Sequence, residues 1–318
     1  RSAAGLRRDG GEPCRPARLI AMDTPRDPFH DGERALQAQA GMQARMAEIG
    51  PRAIRDHMPD QHRDFFAQLP FLVVGSVDAD GQPWASVLSG PPGFVQSPDP
   101  HTLRVATPAP ADSPLASHLR VGAPLGLLGI QPHTRRRNRM NGSVIRAGEA
   151  GFDVEVEQSF GNCPKYIRTR EAFFFGDDEP PAPAQPLPAL DDAARALIRR
   201  ADTLFIASAH AAGVDVSHRG GEPGFITVGP DDVLTLPDYA GNFFFNTLGN
   251  LLLEPRAGLL FIDFDSGDLL QVNGRAQIVE DEEALADHPG AQRLLRIAVT
   301  GALRVPGGLP LLWSTTDT

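Results

Sequence analysis

Five consecutive residues form the densest basic cluster of the chain outside its N-terminal region: Arg135-Arg136-Arg137-Asn138-Arg139. Alternate residues of a β-strand share one face, so a strand here would place Arg137 and Arg139 side by side. Two neighbouring guanidinium groups suit a phosphate, which accepts paired hydrogen bonds from arginine. The cluster could equally be a solvated hairpin.

Four polar residues follow a predicted strand where a helix is expected to begin: Asn242, Asn246, Thr247 and Asn250. The first N–H groups of a helix have no partner within the helix and therefore bind anions readily. These residues are a second candidate for phosphate binding, although turn and capping chemistry also explains them. The intervening run Phe243–Phe245 is predicted to pack in the core.

Ser217 and Arg219 are two residues apart and precede a pair of glycines. Glycine lets a ligand approach the backbone closely, so this pair could contact a bound molecule. A hairpin corner with a solvated arginine is the alternative. Arg275 follows an Asn-Gly pair and could face the same pocket.

Composition and motifs argue against several other chemistries. The net charge of −10 disfavours non-specific nucleic-acid binding, which needs a basic surface. The nine histidines show no metal-ligand spacing with cysteines or carboxylates, so no metal site is predicted. No glycine-rich phosphate loop or dinucleotide fingerprint is present. Two cysteines do not make a disulfide framework, and Cys163 is predicted to be packed rather than catalytic.

No apolar run approaches the roughly 20 residues of a membrane span, and no secretory signal is recognisable. The sequence therefore predicts a cytoplasmic protein without a membrane partner.

The elements that would position these residues are short strands with a few helices. Helices are predicted over Asp31–Ile54, with Asp31 as the N-cap, and over Asp60–Gln68 and Asp192–Arg200. Strands bounded by glycine and proline turns are predicted at Phe71–Val77, Trp84–Leu88, Thr102–Ala106, Leu125–Ile130, Arg139–Ile145 and Phe152–Gln158. The predicted organisation is an N-terminal tail and helical segment (1–60), a first β-domain (61–176), an acidic proline-rich linker (177–191) and a second β-domain (192–318).

The second β-domain repeats the first at a constant spacing of 132 residues. The matched pairs are Val73–Ser76 with Phe205–Ser208, Gly126–Ile130 with Gly258–Ile262, and Asn141-Gly142 with Asn273-Gly274. A register this regular indicates an internal duplication. Short antiparallel strands with tight turns predict a mainly β fold, as two small barrels or sandwiches with flanking helices. An interface between two such domains is a favoured place for a ligand pocket, although duplication for stability alone is also possible.

Several motifs of the second repeat occur together: DVSHRG (215–220), PGF (223–225), PDYAGN (237–242), EPRAGLLF (254–261) and VNGRA (272–276). Two further segments belong to the same pattern. Cys163-Pro164-Lys165-Tyr166 ends the first repeat, and Phe29–Glu33 lies before the start of the first repeat. In these motifs the chain resembles the pyridoxamine 5′-phosphate oxidase-like FMN-binding split-barrel family, specifically its tandem members. The resemblance covers about Phe29 to Ser314. It implies two tandem split β-barrels that bind FMN in the cleft between them, with Lys165 as a contact for the phosphate or the flavin edge.

Two departures from this family pattern bear on the phosphate. Phe243–Phe245 and Gly249 stand where related sequences often carry basic residues.

The resemblance implies a flavin-dependent oxidoreductase acting on a small-molecule substrate or electron donor, with homodimerisation possible. Alternatives are a non-enzymatic carrier of flavin, deazaflavin or haem, and a decayed barrel that serves as a binding scaffold.

Overall fold

A computed structural model describes residues 27–176, 182–211 and 213–315 of the chain. The predicted N-terminal tail up to residue 26 and residues 177–181 of the predicted linker lie outside the described residues.

In the first half, three helices precede the first strand and a fourth lies between strands. The helices are α1 (Asp31–Gln39), α2 (Gln43–Ala53), α3 (Asp60–Ala67) and α4 (Pro114–His118). The strands are β1 (Phe71–Val77), β2 (Pro83–Ser89), β3 (Val95–Asp99), β4 (Thr102–Val105), β5 (Pro124–Gln131), β6 (Arg136–Gly148), β7 (Gly151–Gly161) and β8 (Arg170–Phe174).

The second half repeats this arrangement. Its helices are α5 (Asp192–Arg200), α6 (Asn246–Leu253) and α7 (Glu282–Leu285). Its strands are β9 (Gln185–Leu187), β10 (Thr203–His210), β11 (Gly213–Gly220), β12 (Thr227–Val228), β13 (Val233–Tyr239), β14 (Arg256–Ile262), β15 (Leu269–Val279), β16 (Ala291–Val305) and β17 (Leu311–Thr315).

The helix predicted over Asp31–Ile54 is two helices, because the chain turns at Gly41, whose φ of +68° lies in the left-handed region. The N-cap of α1 is His30 rather than Asp31. His30 accepts a hydrogen bond from the Gly32 N–H, and Glu33 accepts one from the His30 N–H in return. This reciprocal capping box fixes the start of α1.

The two main sheets have the same strand order. One runs β2-β1-β5-β6-β7-β4-β3 and the other β11-β10-β14-β15-β16-β13-β12, with antiparallel neighbours throughout. Their registers agree in detail: Gly75 lies opposite Gly126, and Ala207 lies opposite Gly258, at the 132-residue spacing. Even the β-bulge recurs, after Asn141 in β6 and after Asn273 in β15. The prediction of a mainly β fold with two repeated barrels is therefore confirmed.

Each barrel encloses its own core, and a third apolar cluster joins them. The joining cluster packs β1 and β5 of the first barrel on β10 and β14 of the second, through Phe71, Val73, Leu128, Phe205 and Leu260. All five side chains are at most 2% exposed, so the two barrels bury a shared apolar interface.

Two equivalent glycines allow the backbones of the barrels to touch. A Cβ on Gly126 would lie 2.9 Å from the backbone of Asp215, and one on Gly258 would overlap the Pro83 carbonyl oxygen. The repeated glycine in the sequence therefore marks a contact between the barrels rather than a turn.

Three short strands lie outside these two strand orders. β9, within the predicted linker, pairs with β16, and β8 pairs with the distant β17 to form a separate ribbon. Trp313 of this ribbon packs edge-on against Phe71 and Phe264. Among the described residues, no helix is long and apolar enough to cross a membrane.

Candidate functional site

The duplication creates two related clefts between the barrels. In one, which we call the arginine cleft, β6 of the first barrel faces β11 and α6 of the second. In the other, the neutral cleft, β15 of the second barrel faces β2 and α4 of the first. Each cleft thus takes one strand from one barrel and a strand with a helix from the other.

Three alternate residues of β6 point into the arginine cleft. The Arg139 side chain is 12% exposed, and its Nη1 donates to Asp215 Oδ1 at 3.3 Å and to Asn246 Oδ1 at 3.1 Å. Asn141 Nδ2 donates to the same Asp215 oxygen at 3.3 Å. Arg137 Nη1 lies 2.8 Å from His218 Nδ1. Burial, followed by repulsion from the neighbouring arginines, lowers the pKa of His218 well below its usual value, so this ring is neutral and leaves the charge of Arg137 uncompensated.

Alternate residues of β11 form the opposite wall. Ser217 Oγ lies 2.5 Å from Thr247 Oγ1 at the start of α6. Arg219 Nη1 donates to Asp238 Oδ1 at 2.9 Å, but Asp238 also accepts from Arg293 at 3.2 Å. One carboxylate is therefore shared between two guanidinium groups.

The N-terminus of α6 opens into this cleft without a side-chain cap. Phe245 holds the N-cap position with a left-handed φ of +60° and offers no oxygen to the first N–H groups. A cavity of about 70 Å³ lies in front of the helix, lined by Arg139, Arg219, Asn242, Asn246 and Thr247, among others.

The arginine cluster carries more positive charge than its surroundings balance. The Nε atoms of Arg137, Arg139 and Arg219 are all buried without a hydrogen-bond partner. Burial, together with repulsion by Arg139 and Arg219, lowers the pKa of Arg137 to about 10. Arg139 and Arg219 are paired with Asp215 and Asp238, whereas the charge of Arg137 faces only the neutral His218 among the described residues. An unbalanced cation together with three unpaired Nε donors fits an anion with several oxygens, such as a phosphate.

A glutamate from α1, which the sequence did not single out, joins this network. Glu33 Oε1 accepts from Asn246 Nδ2 at 2.5 Å, and Glu33 Oε2 accepts from the His30 N–H at 2.9 Å. Burial and, to a smaller extent, repulsion by Asp215 raise the pKa of Glu33 to about 8. The sequence contains two signals for this residue: Glu33 ends the Phe29–Glu33 segment of the family resemblance, and it is the third residue of a predicted helix. Neither signal reveals a tertiary contact, because the second indicates only a helix cap.

A larger cavity of about 680 Å³ lies on the other side of this network. Glu33, Asn141, Gln158, Asp215 and Asn250 are among the residues that line it. The His30 ring lies against the His210 ring beside this cavity, with ring centroids 3.9 Å apart and an angle of 47° between the ring planes. The hydrogen-bonded chain from Glu33 through Asn246 and Arg139 to Asp215 therefore borders both cavities: Arg139 and Asn246 line the small basic one, and Glu33 and Asp215 line the large polar one.

The structure brings most of the predicted site residues together. Seven of them lie around the arginine cleft: Arg137, Arg139, Ser217, Arg219, Asn242, Asn246 and Thr247. Asn250 lines the larger cavity, where its amide donates to the Ser208 carbonyl at 3.3 Å and hydroxyl at 3.1 Å. Within the predicted phenylalanine run, Phe244 is buried against Phe29 and Phe160, as expected for a core residue.

Two predicted site residues lie elsewhere. Lys165 is exposed in the loop between β7 and β8, next to Tyr166, which stacks on Tyr239 with centroids 5.4 Å apart. Arg275 is exposed on β15, opposite Arg256 of β14. Neither side chain lines the small or the large cavity.

The neutral cleft lacks the arginines. At the positions of Arg137 and Arg139 it has Leu269 and Gln271, at the 132-residue spacing. Gln271 Nε2 donates to the Ala85 carbonyl at 2.7 Å and to Ser86 Oγ at 3.0 Å, so its donors are satisfied within the protein. A cavity of about 750 Å³ here is mostly apolar in lining and is bordered by the strand β9.

Comparison with known proteins agrees with this architecture. The sequence profile of the family described as pyridoxamine 5′-phosphate oxidase matches residues 58–179 and 190–313, one match in each repeat. The chain belongs to the pyridoxamine 5′-phosphate oxidase family. Comparison with curated protein sequences finds no match.

Similar solved structures each align with about one repeat of this family member. A FAD-binding protein from Mesorhizobium loti shares 11% identity, covers 38% of this chain and 96% of its own, and has a TM-score of 0.28. HutZ, a haem storage protein from Vibrio cholerae, shares 16% identity over 37% of this chain and 96% of its own, with a TM-score of 0.28. An FMN-binding protein from Syntrophomonas wolfei shares 13% identity over 35% of this chain and 82% of its own, with a TM-score of 0.28.

Proposed function

We propose that this protein binds FMN in the arginine cleft and acts as a flavin-dependent oxidoreductase. The observation that carries the proposal is the cluster of three arginines whose Nε atoms are buried without a hydrogen-bond partner. Two of them come from the first barrel and one from the second, so only the assembled tandem presents the site. A phosphate monoester carries between one and two negative charges near pH 7, which matches the charge that the cluster lacks.

Each group in the cleft has a definite part in holding the phosphate. Arg137, Arg139 and Arg219 supply charged donors. The start of α6 supplies N–H groups aligned with the helix dipole, and the hydroxyl of Thr247 lies beside them. Gly249 and Phe243–Phe245, which replace the basic residues of related sequences, are thus compensated by arginines from the other barrel.

The larger cavity is suited to the flavin ring and a small-molecule substrate or electron donor. Its lining supplies neutral hydrogen-bonding groups, from Asn141, Gln158 and Asn250. When bound, FMN would supply hydride and electron transfer, and the residues of the two cavities would contribute its binding, orientation and electrostatic environment.

A carrier that holds the flavin without turnover is the second candidate function. The observation in its favour is the close cover that α1 places over α6: Gly32 packs directly on the Gly249 carbonyl, and Glu33 reaches Asn246. Such a cover retains a ligand and restricts access of a substrate. Steady-state turnover of the flavin-loaded protein with NADH or NADPH separates the two functions, since a carrier shows none.

The first test is the visible absorption spectrum of the purified protein, with mass identification of any ligand released on denaturation. Binding of FMN and riboflavin is then compared for the natural protein, Arg139→Gln and Arg275→Gln. Arg139→Gln removes charged hydrogen bonds worth about 1.5–3 kcal/mol each, so FMN should bind about 100-fold more weakly or worse. Riboflavin, which has no phosphate, should be affected much less.

Arg275→Gln is the matched control, because it removes the same charge from an exposed position outside the cleft. Equal losses of FMN affinity in the two variants would show that the effect is general electrostatics rather than a site. A protein that binds neither FMN nor riboflavin would overturn the flavin proposal altogether.

A further inference from the structure

Helix α1 lies outside both barrels but inserts one carboxyl group into the space between them. The Glu33 side chain is 4% exposed, whereas Asp31, two residues earlier on the same helix, is 87% exposed. Gly32 packs on the backbone of Gly249 in α6, which fixes how close α1 approaches the cleft. The position of Glu33 is therefore determined by packing and not by a flexible side chain.

The side-chain amide of Asn246 connects Glu33 to Arg139 of the arginine cluster. Asn246 donates its Nδ2 to Glu33 at 2.5 Å and accepts with Oδ1 from Arg139 at 3.1 Å. An amide in this orientation connects a carboxyl group and a guanidinium group at its two ends. A change in the charge of either end alters the electrostatic energy of the other.

The ionisable groups around Glu33 come from four elements. They are His30 at the start of α1, Arg139 on β6, His210 on β10 and Asp215 on β11. Burial and the neighbouring His210 lower the pKa of His30 to about 4, so His30 is neutral at physiological pH and above. Helix α6 faces Glu33 and His30 with the side-chain amides of Asn246 and Asn250, which carry no charge. Arg139 is thus the one cation in this described set that remains charged near pH 8.

We propose that Glu33 is the internal counter-ion of the arginine cleft, so that its ionised form and a bound phosphate group exclude each other. The inference rests on the proposed anion site. Above about pH 8, in a cleft that holds no anion, Glu33 is ionised and partly balances Arg139. When a phosphate then occupies the cleft, Glu33 takes up a proton and becomes a neutral carboxylic acid, the form it already has near pH 7.

The direction of the resulting pH dependence follows from the charges. Glu33 loses its proton at about pH 8 in the ligand-free structure. A phosphate on the arginines places additional negative charge near Glu33 and raises that pKa further, so binding above about pH 8 consumes a proton. The affinity for a phosphate-bearing ligand must then fall as the pH rises through 8. The phosphate monoester of FMN stays mainly a dianion over this range because its second pKa is about 6. Inorganic phosphate ionises nearer to neutral pH, so its affinity is compared with that of Glu33→Gln at each pH.

The test measures the affinity of the full chain for inorganic phosphate and for FMN near pH 7 and near pH 9. If bound phosphate raises the pKa of Glu33 by about one unit, from about 8 to about 9, the affinity for FMN should fall by about fivefold across this interval. Calorimetry near pH 9 in two buffers of different ionisation enthalpy counts the protons taken up, with an expected value of about 0.4 per ligand bound for a shift of that size.

Glu33→Gln keeps the shape and the hydrogen bond from Asn246 but cannot ionise. Its affinity for FMN should be independent of pH over the same interval, and it should take up no proton on binding either probe near pH 9. Glu48→Gln is the matched control, because Glu48 is 60% exposed on the neighbouring helix α2 and should leave the pH dependence unchanged.

The outcomes separate this inference from the proposed function. Binding of FMN with equal affinity at both pH values and without proton uptake overturns the coupling and leaves the flavin proposal standing. Binding of inorganic phosphate with the expected pH dependence, without any binding of FMN, supports the coupling and overturns the flavin proposal. Absence of binding for both probes overturns both. If Glu33→Gln does not fold, the proton count of the natural protein decides the matter by itself.

Discussion

The arginine cleft and the neutral cleft are built from equivalent strands in the same register, yet they differ completely in charge. Arg137 and Arg139 on β6 correspond to Leu269 and Gln271 on β15. Arg219 on β11 corresponds to Leu88 on β2, one residue off the general spacing. A homodimer repeats every substitution in both of its symmetric clefts. Fusion of two barrels in one chain removes that constraint, so one cleft could become basic while the other became apolar.

The contrast predicts opposite effects of one substitution on binding and on stability. Arg137→Leu installs the residue of the neutral cleft and removes a half-buried cation whose one side-chain partner within the described ranges is the neutral His218. FMN affinity should fall by about 10- to 100-fold, as expected for loss of one charged contact. The free energy of unfolding without ligand should stay the same or rise, because an uncompensated buried charge disappears.

Isothermal titration and urea denaturation measure these two quantities on the same preparation. Loss of stability and of affinity together would indicate that Arg137 is structural, and the distinction between the clefts would then lie in packing. Leu269→Met serves as the control in the neutral cleft and should leave FMN affinity unchanged.

Substitution of the two glycines at which the barrels touch, Gly126 and Gly258, compares how closely the backbones approach at these two equivalent positions. Gly258→Ala places a Cβ onto the Pro83 carbonyl, which belongs to backbone and cannot move aside easily. Destabilisation of about 1–3 kcal/mol is expected, as for overpacking of a core. Gly126→Ala meets the backbone of Asp215 at 2.9 Å and should be milder.

Gly301→Ala is the control for this pair, since a Cβ at that position on β16 meets no atom within 4 Å. Thermal unfolding of the three variants ranks them. A larger effect at Gly126 than at Gly258 would reverse the order of tightness deduced from the backbone distances.

The smallest expected change in stability concerns a buried side-chain hydrogen bond that occurs at equivalent positions of the two barrels. His118 Nδ1 lies 2.9 Å from Ser76 Oγ in the first barrel, and Asn250 Nδ2 lies 3.1 Å from Ser208 Oγ in the second. His118→Asn copies the second arrangement into the first, so stability near pH 7 should change by less than about 1 kcal/mol.

The same substitution should change the response to acid. Burial lowers the pKa of His118, so the unfolded chain binds a proton that the folded chain does not, and the folded state loses stability as the pH falls below about 6.5. His118→Asn removes that contribution. The melting temperature of the variant should therefore decline less between pH 7 and pH 5 than that of the natural protein, and identical declines would show that His118 does not contribute.

Much of the fold was readable because the two repeats share a register. The spacing between Gly126 and Gly258, or between the two Asn-Gly pairs, required no knowledge of tertiary contacts. The shared face of Arg137 and Arg139 followed from strand periodicity alone.

The composition of the site was harder to predict, because each cleft combines unlike segments of the two repeats. Arg275 resembled a partner for Ser217 and Arg219, since all three belong to the second repeat. The structure instead pairs β11 with β6 of the first barrel, and β15, which carries Arg275, with the opposite cleft. Glu33 was missed for a related reason: a helix signal specifies local structure and does not reveal which distant surface the helix covers.

The ribbon of β8 and β17 has a consequence for biosynthesis. β8 leaves the ribosome with the first barrel, but its partner β17 is made only after the whole second barrel. Throughout that interval the first barrel presents an unpaired strand edge together with Phe71, Val73 and Leu128, which the second barrel later buries. Exposed edges and apolar faces promote association between chains. The nascent protein is therefore most vulnerable to aggregation, and most in need of a chaperone, while the second half is being translated.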